Sequence, residues 1–401
     1  MTELERTIFD MIRAAASGLD YEIPATVDPV ALYRIVRGQH LSAFLWRFGS
    51  RLPVSRLRDV WERDRDSAAM KDMMLSEEKE KVDRALSAAG IRFLYLKGSV
   101  LKYLWDEPAF RYLGDMDFLY EGDDLALKGA LEGVGYTARI FTSRDFSHHS
   151  VFHREPWFTL EPHFALLDAT DPYYGMLTGL FDRATPDPDL PGRYRISEED
   201  LYLHCLLHAR KHISGRGIGT RSFLDFAFLL RACPDLPGRA RVRELLAVYG
   251  LETFEARVLS LARLLSDPAS EPDEEDQAEL SLLLSGGLFG TIEKCVENQL
   301  DTERRTSRFP RFRYLLRRTF PPLLSMARRK IRAPLSWIVY PFYWFRRFFR
   351  MLFSREKRKN TGDAFRVLAA YKENEENVGR ELRYFGLSPE PTERKGESDR
   401  G

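Results

Sequence analysis

Two carboxylates two residues apart, Asp115 and Asp117, stand in the run Arg111-Tyr-Leu-Gly-Asp-Met-Asp-Phe-Leu-Tyr120. On a strand, residues at that spacing point to the same side of the sheet. Side-by-side carboxylates repel each other unless a cation lies between them. Hard oxygen ligands of this kind suit Mg²⁺, with Mn²⁺ as an alternative. Magnesium commonly arrives with a nucleoside triphosphate, so the pair points to metal-assisted nucleotidyl transfer.

Upstream, the apolar run Ile91-Arg-Phe-Leu-Tyr-Leu96 ends in Lys97-Gly98-Ser99. Gly98 lets a phosphate approach the backbone, and a helix beginning there offers unpaired amide donors. The Ser99 hydroxyl adds another donor. Lys97 and Arg111 supply positive charge, and Arg suits bidentate contacts with phosphate oxygens. Arg111 pairing with one of the aspartates is an equal alternative.

Together these features resemble the DNA polymerase β-like nucleotidyltransferase superfamily, and more closely a branch of uncharacterised bacterial nucleotidyltransferases. The resemblance rests on Lys97-Gly98, on Arg111-Tyr-Leu-Gly114-Asp115-Met-Asp117, on Gly135-Tyr136 and on Glu161-Pro-His163. It extends through Leu203-His-Cys-Leu-Leu-His208-Ala-Arg-Lys211-His212 and Phe223-Leu-Asp225, covering most of residues 25 to 350. The 15 residues between Ser99 and Asp115 slightly exceed the superfamily's usual gap, and Asp106-Glu-Pro108 can absorb the excess as a loop. The resemblance implies a third carboxylate on a neighbouring strand, for which Glu161 is the candidate and Glu155 the rival. It further implies displacement assisted by two Mg²⁺ ions. Asp115, Asp117 and Glu161 would be the ligands, Glu161 serving as ligand or base. Lys97, Gly98, Ser99 and Arg111 would bind the nucleotide.

In Trp157-Phe-Thr-Leu-Glu-Pro-His-Phe164, alternation places Glu161 and His163 on one face and Phe158, Leu160 and Pro162 on the other. His163 reads as a neighbour of the ligands, a substrate contact or a packed core histidine. His204, His208 and His212 form one helical stripe without the glutamate of an HExxH motif. The expectation is a helix over the sheet that offers His208, Lys211 or His212 to substrate, with Asp225 pairing to one of them. Gly215 to Gly219 follows a helix, so it lacks the context of a dinucleotide fingerprint.

The elements that position these residues follow from periodicity. Residues 1–88 read as an N-terminal helical region and 89–170 as a nucleotidyltransferase core with strands near 91–96, 115–120, 136–141, 147–153 and 157–164. Asp123 or Asp124 caps a helix to Glu132. Residues 171–300 are a helical C-terminal domain in which Ser197 starts a helix. Residues 301–360 are a basic-aromatic helical segment, and 361–401 a terminal helix and disordered tail. The fold class expected is α+β, a small mixed sheet flanked by helical segments.

The chain has 401 residues, is 44% hydrophobic and carries a formal net charge of +1, enough apolar content for a substantial core. That near-neutrality hides an asymmetry, because residues 301–360 hold 18 Lys/Arg against 3 Asp/Glu. Within residues 304–359, arginines interleave with aromatics. The segment reads as a peripheral contact with anionic membrane, as a grip on RNA or another polyanion, or as a packing helix whose arginine stems cover apolar surface. The longest apolar run, Ala333 to Phe345, is too short for the roughly 20 residues of a membrane span. Cys205, Cys233 and Cys295 are far apart with no CxxC spacing, which fits a reducing cytoplasm and neither a disulfide framework nor a zinc site. The partners expected are an NTP, ATP by default, and an acceptor of unread identity. The alternatives are an RNA-directed transferase and a non-catalytic scaffold on the same fold.

Overall fold

The computed structural model describes residues 1–141, 148–288, 290–306, 309–319, 344–345 and 379–387. Four helices come first: α1 (Glu3–Ala16), α2 (Pro29–Gly38), α3 (Trp46–Gly49) and the long α4 (Ser55–Ala88). The core then runs β1 (Arg92–Tyr95), α5 (Gly98–Leu101), β2 (Met116–Glu121), α6 (Asp124–Gly133), β3 (Thr137–Ile140), β4 (Val151–Arg154) and β5 (Phe158–His163). Next are α7 (Leu180–Arg183), β6 (Thr185–Pro186), β7 (Arg193–Arg195), α8 (Glu198–Ile213) and α9 (Thr220–Ala232). The series closes with α10 (Ala240–Tyr249), α11 (Glu252–Leu264), α12 (Glu274–Gly286), α13 (Ile292–Thr306), α14 (Pro310–Thr319) and a short helix Arg380–Tyr384. The α+β class expected from the sequence is what the chain adopts.

One mixed sheet has the order β3-β4-β5-β2-β1-β7-β6. β2 runs parallel to β5 and antiparallel to β1. Its two faces meet two different cores. Phe93, Tyr95, Met116, Phe118, Tyr120, Phe158 and Leu160 pack with Leu75, Val82 and Leu86 of α4 and Leu127 and Leu131 of α6. Leu94, Leu96 and Leu119 face the larger helical core, which contains α8 and α9. This two-sided burial explains why β1 reads as a continuous apolar run.

The caps work as their residue types suggest. Asp123 accepts from the Ala126 amide at 2.8 Å and starts α6, while Ser197 accepts from the Asp200 amide at 3.2 Å and starts α8. β6 and β7, which hydrophobic periodicity does not mark as strands, extend it beyond β1 through parallel pairing of Phe93 with Arg193 and Leu94 with Tyr194. Of the basic-aromatic segment, α14 is described and presents Phe312 at 67% exposure. Residues 320–343 and 346–378 lie outside the described residues, and with them Arg346, Arg347 and Arg350. No helix among the described residues is long and apolar enough to cross a membrane.

Candidate active site

The site begins at a tight turn. Ser99 N–H donates to Leu96 O at 3.2 Å, closing a four-residue turn whose second residue, Lys97, has φ 42° and ψ −121°. That is the first central position of a type II′ turn, normally glycine. A lysine held there stores strain of about 1–3 kcal/mol, as functional sites commonly do. The turn aims the Lys97 ammonium at the sheet, where Nζ lies 3.3 Å from Asp117 Oδ1.

β2 and β5 supply the carboxylates. The parallel register sets Asp117 directly beside Glu161. His163 Nε2 lies 2.9 Å from Asp117 Oδ1. One oxygen each from Asp117 and Glu161 and one nitrogen of His163 lie within 4.8 Å of one another. Asp115 lines the same cleft of about 360 Å³, together with Lys97, Gly98, Arg221 and, from α8, His208, Lys211 and His212. Glu155 is far more open, its side chain 83% exposed beside His153, so geometry favours Glu161 over its rival.

Electrostatics show how crowded the carboxylates are. Burial would raise Asp117, but Lys97 and His163 outweigh it and hold the group well below the usual carboxylate range. Asp115 is raised by burial and by the charge on Asp117. Glu161 is pushed up to about 7 by burial, then by Asp117 and Asp115. On the opposite wall, burial and the charge of Lys97 lower Lys211. Burial and Arg111 lower Arg221 to about 10. Three carboxylates thus share the cleft with Lys97, Lys211 and Arg221. The donor set fits a hard divalent cation, since Asp117 is buried, Asp115 and Glu161 are half-buried in the same cleft, and their mutual repulsion is what such an ion relieves.

Two expected phosphate contacts are used differently. Arg111 is buried and makes a bidentate pair with Asp225 of α9, Nε to Oδ1 at 2.8 Å and Nη2 to Oδ2 at 2.7 Å. It pairs with neither Asp115 nor Asp117. Asp225 also accepts from Trp105 Nε1 at 2.9 Å, so it binds no histidine of α8. Ser99 is 4% exposed, its hydroxyl has no hydrogen-bond partner, and it does not line the cleft. Gly98 does line it, yet a Cβ there would strike the Arg111 guanidinium and Leu113 Cδ1, so this glycine answers to packing. His208 and His212 join each other, Nε2 to Nε2 at 3.0 Å. Burial drives both downward, His212 to about 4, so they are neutral imidazoles near pH 7.

A model of a family described as uncharacterised nucleotidyltransferase matches residues 25–267, more than half of the chain. The chain belongs to this family. The nucleotidyltransferase is therefore an enzyme of the transferase class, and a nucleotide is its substrate. Comparison with curated proteins and with solved structures found no match. Sequence reasoning missed Arg221, His148 and His149 in the wall of the nucleotidyltransferase's cleft. Arg221 lies in a helix start with no charge pattern around it, and the histidine pair opens the strand expected near 147–153 within a polar run. The only signal for either was residue type.

Proposed function

We propose that this nucleotidyltransferase moves an NMP group from an NTP, with ATP the default donor, to a hydroxyl or phosphate oxygen of its acceptor. Asp115, Asp117 and Glu161 would hold Mg²⁺. The observation that carries the reading is the Asp117–Glu161 pair in register on adjacent parallel strands, with Asp115 beside it and Lys97 across it. Metal bound there supplies charge neutralisation on the triphosphate and a lowered pKa for the attacking hydroxyl.

The protein groups divide the remaining work. Lys97 and Gly98 border the triphosphate, and Lys211 and Arg221 offer charge to the leaving pyrophosphate. Glu161, in register with Asp117, would serve as a metal ligand or as the base that takes the acceptor's proton. The acceptor oxygen forms its bond to the α-phosphorus as the bond from that phosphorus to the bridging oxygen of pyrophosphate breaks. Arg111 acts as a tie between the Asp115 loop and α9 and is left out of the phosphate-binding set.

Calorimetric titration of ATP, GTP, CTP and UTP with Mg²⁺, on wild type and on Asp115→Asn/Asp117→Asn, tests this. The expected result is Mg²⁺-dependent binding that the double variant loses. No binding of any NTP, or equal binding in the variant, would make a non-catalytic scaffold the better description.

A further inference from the structure

Beside the carboxylates, in the wall of the same cleft, three imidazoles meet. One nitrogen each from His148, His149 and His163 lies within 4.8 Å of the others. The ring centroids are 4.7 Å apart for His148–His149, 5.1 Å for His149–His163 and 5.8 Å for His148–His163. The backbone holds this arrangement. His149 sits opposite His163 in an antiparallel bridge, Ser150 N–H donates to Pro162 O at 3.0 Å, and Phe164 N–H donates to His148 O at 3.1 Å. Facing residues of an antiparallel pair project to the same side.

His163 carries the decisive detail. It is 6% exposed, and Nε2, the nitrogen next to Asp117, donates to Oδ1. With that proton on Nε2, Nδ1 keeps an unshared pair, and it has no hydrogen-bond partner. A carboxylate that fixes one imidazole nitrogen while the other stays open is the arrangement that orients histidine ligands in metal centres. Imidazole suits Zn²⁺, Co²⁺ and Ni²⁺, and three histidines with one open position is a recurrent zinc pattern.

We infer that His148, His149 and His163 form a site for a borderline divalent cation of the Zn²⁺ class, distinct in preference from the Mg²⁺-type carboxylate site that Asp117 adjoins. Asp117 serves this site as the group that orients His163. The bound ion pins the His148–Ser150 segment onto the end of β5 and adds positive charge to the wall of the cleft. Lys97 and Lys211 oppose the ion, whereas Asp117 and Asp168 favour it. This site stands whether or not the carboxylates bind nucleotide.

The test uses the full chain, stripped with a chelator and titrated with Co²⁺ while its visible d–d absorption is followed. The expected result is saturation at one equivalent with a four-coordinate spectrum, displacement by Zn²⁺, and no displacement by excess Mg²⁺. His148→Ala/His149→Ala should weaken Co²⁺ by about 100-fold or more, at or beyond the top of the range for losing an orienting partner. Asp115→Asn should lose Mg²⁺–NTP binding yet keep the Co²⁺ spectrum, which separates this site from the nucleotide reading. Circular dichroism checks the fold of the double variant, and His148→Gln alone replaces it if it does not fold. Absence of a Co²⁺ spectrum, a spectrum unchanged in the histidine variants, or displacement by Mg²⁺ would overturn the assignment.

Discussion

At Lys97 the backbone takes the conformation that glycine favours, while the glycine beside it is needed for a different reason. The side chain explains the choice, because only a long cation at that turn reaches Asp117. Substitution separates the two effects. Lys97→Ala and Lys97→Gly both remove the charge, but only glycine relieves the turn. Lys97→Gly is therefore expected to be more stable than Lys97→Ala by about 1 kcal/mol, the reverse of the usual order for these residues. Urea denaturation of the two variants checks this, and an equal or lower midpoint for glycine would remove strain from the account. The Lys-Gly dipeptide was legible as a site signal, but which residue bears the positive φ was not. Turn geometry depends on the strand register on both sides, which no local spacing encodes.

Among elements, α9 governs the site although it holds none of the proposed ligands. Asp225 accepts two bonds from Arg111 and one from Trp105, all in the interior. Removing one partner of a buried charge pair leaves the other desolvated and unpaired, a cost of about 3–5 kcal/mol. Asp225→Ala is expected to destabilise by that amount in chemical denaturation, and Asp225→Asn by less because the amide oxygen still accepts. If Asp225→Ala unfolded at the wild-type midpoint, the tie would be an ornament of the surface. This pairing spans 114 positions, so the sequence offered Arg111 and Asp225 only as separate candidates. In contrast, the placement of Glu161 and His163 on one face of β5 followed directly from period-two alternation. The strands β6 and β7 were unreadable because they are two and three residues long, and β7 is the polar Arg193-Tyr-Arg195. They exist as strands through their pairing with β1.

For the whole molecule, the described C-terminal helix Arg380–Tyr384 reaches back to the helices that roof the cleft. Phe385 is fully buried and stacks on Phe223 of α9 with ring centroids 6.1 Å apart, and Tyr384 Oη donates to Asp276 at 2.6 Å. Glu381 meets Lys294 at 3.2 Å beside the buried Glu279. Glu279 is raised from its ordinary 4.5 to about 8 by burial and then by Glu381, with Lys294 and Arg380 opposing and Glu275 adding to the rise. A carboxyl whose folded value lies above its unfolded one binds more protons when folded, so its contribution to stability declines as pH rises between the two values. The thermal midpoint should therefore fall from pH 6 to pH 8.5, and Glu279→Gln should flatten that decline. An unchanged slope in the variant would assign the pH dependence to other groups. The charge contrast between residues 301–360 and the remainder was plain in the sequence, but most of that segment lies beyond the described residues, so its three readings stand as expectations.

The contact between Gly98 and Arg111 has a bearing on how relatives of this chain are read. A glycine that follows a strand and precedes a helix invites interpretation as a mark of nucleotide handling. Here the space above it is filled by a guanidinium that braces one helix against a loop. A descendant that lost all catalysis but kept its architecture would still be selected to retain that glycine. Inheritance of Gly98 therefore testifies to shape, whereas Lys97, Asp115, Asp117 and Glu161, the groups proposed to do the chemistry, have placements that packing alone does not demand.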